Sequence, residues 1–232
     1  MIILRNAHER GHAQQGWLDS YHTFSFADYY DPAHMGVSVL RVLNEDRVQP
    51  GQGFPSHSHR DMEILTYVLA GALAHKDSLG NGSVIHPGEV QRMSAGTGIT
   101  HSEYNASSID LLHFLQIWLL PNQTRLSPSY EQRTLPKATT REHLCLIASP
   151  DGRDGSVTIH QDAFVYATTL RPGDTVTHTL APHRTGYLHV ARGDLILNSH
   201  TLHSGDGRKI TTGESLSLFT ERAAEVLLFD LS

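Results

Sequence analysis

The chain has 232 residues, with 18 Lys and Arg against 24 Asp and Glu for a formal net charge of −6, and 39% hydrophobic and 18% charged residues. A chain of this length buries a substantial core as one large domain or two small ones, and its scattered cations exclude a nonspecific nucleic-acid binder, which needs a basic face. No apolar stretch approaches the ~20 residues of a membrane span, and the first residues, MIILRNAHERGH, carry only a short apolar run before Arg5, unlike a secretory leader. With a single cysteine, Cys145, no intrachain disulfide is possible, so a cytoplasmic protein without membrane or nucleic-acid partners is expected.

In chain order, short strands are predicted at 37–44 (VSVLRVLN), 63–71 (EILTYVLAG), 83–88 (SVIHPG), 89–96 (EVQRMSAG) and 111–120 (LLHFLQIWLL), separated by turn signals such as SLGNG and HPGE. The pattern lapses over 121–143, a polar, Pro-dotted stretch. Strands resume with VTIHQ, FVYATTL, YLHVARGDLILN, SLSLFT and EVLLFDL, and long amphipathic helices are absent. The two halves repeat faintly: TYVLAGALAH aligns with LHVARGDLIL on Gly71 and Gly193, and PGEVQRM with TGESLSLF on Gly88 and Gly213. An all-β fold of two similar barrels or jelly rolls is expected, with domains at 1–125 and 144–232 and a linker at 126–143.

Two histidines, His57 and His59, open the stretch FPSHSHRDMEILTYVLAG. With 17 His in the chain, roughly one His-x-His pair arises by chance, so the pair needs company. In a strand, residues two apart share a face, and Glu63 has the same parity if no bulge intervenes. About forty residues on, SAGTGITHSEYN supplies His101 and Glu103, again two apart after a Gly-rich turn. On neighbouring strands these pairs would bring three imidazoles and a carboxylate to one point, a donor set that suits late first-row transition metals.

GQGFPSHSHRDMEILTYVLAG resembles the first cupin motif and GTGITHSEYN the second. With HKDSLG and SAGTGITHSEYNAS, the N-terminal half resembles the pirin family of bicupins, in the bacterial branch associated with quercetin 2,3-dioxygenase activity; SPDGRDGS and EVLLFDL extend the likeness more loosely over the chain. The resemblance implies two cupin-type β-barrels, a double jelly roll with few short helices, of which the first holds one divalent transition metal on His57, His59, His101 and Glu103. Iron(II) is the first expectation, with Mn, Ni, Cu, Co and Zn open. A general cupin motif with four residues between the second His and its acid would place that acid at Ile64; Glu63 is one position early, and the pirin pattern takes Glu103 instead.

The implied reaction is ring-opening of a flavonol-like aromatic substrate by dioxygen, with Glu103, or Glu63 if it faces inward, as the catalytic base. In the C-terminal half the corresponding positions hold Thr179, Ala181, Val226 and Leu228, so that barrel is expected to bind no metal, and His178, His183 and His189 lack the spacing. His75 and Asp77 are explained equally by a hairpin turn, and of His113 and Gln116, which have opposite parity, at most one faces a cavity unless the strand bulges. His8 and His12 have helical metal spacing with nothing to support it. Two other readings stand: a metal- or redox-sensing regulatory protein acting through a protein partner, and a different cupin reaction such as an isomerisation. A deep pocket would favour an enzyme; a closed site beside a broad patch would favour the sensor.

Overall fold

A computed structural model describes residues 3–135, 143–211, 213 and 215–232. Strand β1 (Ile3–Arg5) is followed by β2 (Gly11–Gln14), β3 (Leu18–His22), β4 (Leu40–Val48), β5 (Gly53–His59), β6 (Glu63–Ala70), β7 (Leu73–Asp77), β8 (Gly82–Ile85), β9 (Glu89–Ser94), β10 (Ile99–Asn105), β11 (Leu112–Leu119) and β12 (Ser129–Thr134). Then come β13 (Cys145–Ser149), β14 (Val157–Thr158), β15 (Ala163–Leu170), β16 (Thr175–Thr179), β17 (Thr185–Leu197), β18 (His200–His203), β19 (Gly207–Ile210), β20 (Ser215–Phe219) and β21 (Ala224–Leu231). Among the described residues the helices are two three-residue 3-10 turns, and no helix is long and apolar enough to cross a membrane. The fold is all-β, as the turn-punctuated pattern implied.

The chain forms two compact units. One comprises Gly11–Thr134 with Val157–Gln161; the other comprises the described residues of Met1–Arg10, Leu135–Ser156 and Asp162–Ser232. In the first unit, a seven-stranded sheet runs β12-β9-β6-β11-β4-β3-β2 and a four-stranded sheet β5-β10-β7-β8. β6 is buried along nearly its whole length, which is why EILTYVLA reads as a continuous apolar run and not as an alternation. One row of the seven-stranded sheet departs from that chemistry. His22 lies opposite Asn44, Asn44 opposite Gln116, Gln116 opposite Thr66 and Thr66 opposite Gln91. Directly paired residues share a face, so these five buried polar side chains form a belt across one face of the sheet.

The second unit pairs β1-β19-β17-β21-β15-β13, with β16 on β20 and β18 on β17. Leu188, Val190, Leu195, Leu218, Val226 and Leu228 belong to one buried aliphatic cluster, and Arg208, paired with Leu188, is buried as well. The repeat read from the sequence has a backbone counterpart. Gly71 and Gly193 both take left-handed conformations, with φ of 79° and 75°. A Cβ at Gly71 would meet the Leu111 carbonyl at 2.6 Å, just before β11, and one at Gly193 the Ala223 carbonyl at 1.8 Å, just before β21. Only glycine satisfies both demands.

Two segments fall outside the simple division by halves. β1 pairs with β19, so the first described residues belong with the second unit. Within 126–143, residues 129–134 form β12 on the edge of the seven-stranded sheet. Polar contacts hold this strand: Arg92 Nη2 donates to Glu131 at 3.2 Å, and Gln132 Nε2 donates to Glu89 at 3.1 Å. A strand anchored in that way has no apolar period to read. Residues 136–142 of this segment lie outside the described residues.

Candidate metal centre

β5 and β10 are antiparallel neighbours, and their register sets His101 directly opposite His57. The ring centroids of His57, His59 and His101 stand 4.4 to 4.9 Å apart, and one nitrogen from each lies within 4.8 Å of the others. The Pro55 carbonyl accepts from His57 Nδ1 at 2.8 Å, which leaves Nε2 as that ring's bare nitrogen. Both ring nitrogens of His101 and Nε2 of His59 are buried without a hydrogen-bond partner. Orphaned buried nitrogens are costly, and a metal ion is the group that would satisfy one nitrogen of His59 and one of His101 together with the bare nitrogen of His57. Burial, reinforced by the neighbouring His57, pushes His59 down to about 4 and His101 to about 3. Both are therefore neutral at neutral pH, the form that ligates. The donor chemistry fits a transition metal.

Glu103 enters from the same strand past an irregularity in the β5–β10 pairing, opposite Phe54 and His75. Gln116 Nε2 donates to its two oxygens at 3.2 and 3.4 Å, Thr66 Oγ1 donates at 3.4 Å, and the same Thr66 hydroxyl donates to Gln116 Oε1 at 2.9 Å. Burial pushes the Glu103 carboxyl up to about 7; the Gln116 bond opposes the rise and the charge of Asp46 adds to it. Glu103 groups within 4.8 Å with His101 and His75, so two overlapping clusters share His101. His75 Nε2 donates to Asp77 at 3.2 Å, and its ring packs 5.3 Å from that of His101.

Glu63 is not brought to this place. It begins β6, three residues before Thr66 and hence on the opposite face; its Oε2 accepts from the Ser94 hydroxyl at 2.9 Å and from the His160 amide at 3.2 Å. The parity that linked it to His57 and His59 is lost because the chain turns at Asp61 (φ 49°) and changes sheet.

A cavity of about 520 Å3 opens against His57, His59 and Glu103. Trp17, Phe26, Phe54, Phe114 and Trp118 supply its aromatic walls; the Trp118 ring meets His59 edge-on at 4.9 Å and Phe26 at 5.4 Å. Gln116 faces the cavity, whereas His113, of opposite parity, pairs with Glu45 at 2.9 Å. His12 lines the cavity and bonds Asp19 at 2.6 Å, and no metal cluster found among the described residues includes it. Sequence reasoning passed over Ser20, His22, Asn44 and Asp46, which form a polar wall of the cavity. A signal existed: Asn44 and Asp46 alternate within a strand whose other residues are largely buried.

In the second unit, Thr179 and Ala181 are exposed while Val226 and Leu228 are buried in the aliphatic cluster. Those four positions make no cluster of ligands.

Residues 4–119 match the family model described as Pirin, and residues 146–231 that of the quercetinase C-terminal cupin domain. The chain is 48% identical over 231 residues to an Escherichia coli K12 protein named quercetin 2,3-dioxygenase, covering 100% of this chain and 99% of that one. Two crystal structures of the E. coli protein YhhW, each 48% identical, superpose with TM-scores of 0.95 and 0.94, covering 100% of this chain and 98% and 99% of theirs; the second is described as a bacterial pirin in complex with nickel(II). Two cupin barrels, one carrying converging histidines, and a full-length likeness at this level have one reading: the chain belongs to the pirin family.

Proposed function

We propose that this chain is a metal-dependent dioxygenase of the pirin type that opens the ring of a flavonol such as quercetin with dioxygen, its metal held by His57, His59, His101 and Glu103. The observation that carries the reading is the convergence of three imidazoles, that of His101 buried and those of His57 and His59 partly so, on one point beside an aromatic-walled cavity. A volume of about 520 Å3 falls within the range of small-molecule sites. A pocket of that depth favours an enzyme over a sensor that works through its surface. When bound, a divalent late first-row ion supplies Lewis acidity and one-electron chemistry.

The protein's own groups do the rest. Trp17, Phe54, Phe114 and Trp118 offer flat apolar faces to a planar substrate and exclude water from the reacting carbons. Pro55 fixes the ring orientation of His57, and Thr66 and Gln116 fix the carboxylate of Glu103, the kind of outer support that sets ligand position and basicity. Glu63, turned to Ser94 and His160, ties the start of β6 to Val157–Gln161. Iron(II) is the metal we propose first; nickel(II), which the E. coli relative binds, suits the same imidazole and carboxylate donors. Oxygen uptake on adding quercetin to protein reconstituted anaerobically with iron(II) or nickel(II), alongside His57→Ala, tests the proposal. Uptake that requires the metal and vanishes in the variant supports it; full metal occupancy with no uptake sinks it.

A further inference from the structure

A flavonol must lose its 3-hydroxyl proton before dioxygen can add to the ring, and the carboxyls named for that task are ill placed. Glu63 faces away from the cavity, and Glu103 is committed to the metal cluster and to Gln116. Two further carboxyls line the cavity, Asp28 and Asp46. Asp28 is exposed, where solvent competes for any proton; Asp46 is 5% exposed.

Asp46 belongs to a built arrangement. It lies directly opposite Ser20 on β3, and Phe114 flanks it from β11. The Ser20 hydroxyl donates to Asp46 Oδ1, and the same hydroxyl meets His22 Nε2 at 2.9 Å. Since the serine proton points at the carboxylate, His22 Nε2 is the donor to the serine oxygen. A chain of donors thus runs His22 to Ser20 to Asp46, aimed at a carboxylate on the cavity wall. Next to it the Asn44 side-chain oxygen is buried without a partner on the same wall.

We propose that Asp46, oriented by Ser20 and His22, is the proton acceptor of this cavity: it takes the proton from the flavonol 3-hydroxyl and releases it to solvent after the ring has opened. The inference rests on the dioxygenase reading above. The substrate O–H bond breaks, its electron pair stays on the substrate oxygen, and the proton moves to the Asp46 carboxylate. Dioxygen is the oxidant; it adds to the ring, carbon monoxide leaves, and the ester product departs as its carboxylate while Asp46 gives the proton to solvent, so Asp46 ends as it began. Burial pushes the Asp46 carboxyl up to about 7, with Glu45 and Asp19 adding to the rise and the Ser20 bond opposing it. A general base works best with its pKa close to the operating pH. Ser20 and His22 are positioning residues, and Asp46 is the group that touches substrate.

The flavonolate absorbs at longer wavelength than the neutral flavonol, so the proton transfer can be seen without turnover. Metal-loaded protein is mixed with quercetin under anaerobic conditions and the absorption is followed, with metal content and quenching of tryptophan fluorescence as controls for site and binding. Wild type is expected to produce the flavonolate spectrum. Asp46→Asn is expected to keep its metal, to bind quercetin with affinity within about two-fold, and to leave the ligand neutral; with oxygen admitted its kcat should fall roughly 100-fold, the usual scale of a lost general base. Ser20→Ala keeps every charge and reads the same spectrum if Asp46→Asn fails to fold; flavonolate formation should slow about ten-fold. Flavonolate forming at wild-type rate in Asp46→Asn, or in Ser20→Ala where that is the variant in hand, overturns the role of Asp46 alone. Absence of both flavonolate and oxygen uptake in metal-loaded wild type overturns the dioxygenase reading and this role with it.

Discussion

The two barrels resolve the same architectural problem in opposite ways. In the second unit one large aliphatic cluster takes in Val226 and Leu228 on β21. In the first, the aliphatic residues gather in smaller clusters, one around Leu73, Val68 and Phe114 and another around Ile64, Met93 and Ile99. Between these lie histidines, carboxyls and a belt of buried amides and hydroxyls. Each buried polar group in the first barrel forfeits packing and must be desolvated, whereas the second barrel spends its interior on cohesion. A duplicated fold can thus devote one copy to stability and leave the other free to carry an unfavourable but reactive interior.

The largest expected effect breaks the reactive side of that comparison. His101→Ala should lose more metal affinity than the ~10–100-fold typical of an outer partner, because His101 is shared by both clusters; metal content after dialysis checks this, and unchanged content would sink the site. On the cohesive side, Leu228→Ala should cost about 2–5 kcal/mol of stability, as expected for a fully buried leucine, with metal content unaltered. Chemical denaturation and metal analysis on the same sample separate the two.

Acid response sharpens the contrast further. In metal-free protein, Asp46 titrates near 7 when folded, above its ordinary 3.8, so the folded state binds its proton first and gains stability as pH falls from about 7 to 4. His59 and His101, lowered to about 4 and 3, do the reverse: the unfolded state binds their protons first, and stability is lost as pH falls below 6.5. The two trends oppose one another over most of that range. Glu103, pushed up to about 7 as well, adds a gain of the same sign; Asp46→Asn removes only the Asp46 share, on the order of 3 kcal/mol, so its melting temperature should fall more steeply than wild type between pH 6.5 and 4. A parallel pair of curves would contradict this account. The smallest effect is expected from Gln116→Leu, which keeps volume but removes the donor to Glu103; metal affinity should drop about ten-fold, read by competition with a chelator.

Much of this was legible in the chain itself, where residue type and spacing carry the physics. Gly-punctuated apolar runs fixed the all-β class, because strand and turn preferences are local. His57 with His59, and His101 with Glu103, were visible because a period of two keeps each pair on one face. The repeat was legible at Gly71 and Gly193, where a left-handed backbone pressed against a neighbouring carbonyl tolerates nothing larger. Other features depend on which strands become neighbours, and parity along one strand is silent on that. Glu63 matched the histidines in parity, yet a turn and a change of sheet carried it to Ser94 and His160. β12 escaped notice because polar contacts across the sheet edge replaced an apolar period. Ser20, His22, Asn44 and Asp46 come from two strands about twenty residues apart, and only the antiparallel register of β3 on β4 makes them one wall. Local sequence determined most of the strands, the glycine turns and the His-x-His and His-x-Glu pairs; the pairing of distant strands decided what the cavity contains, since hydrogen-bond register is settled between strands and not within them.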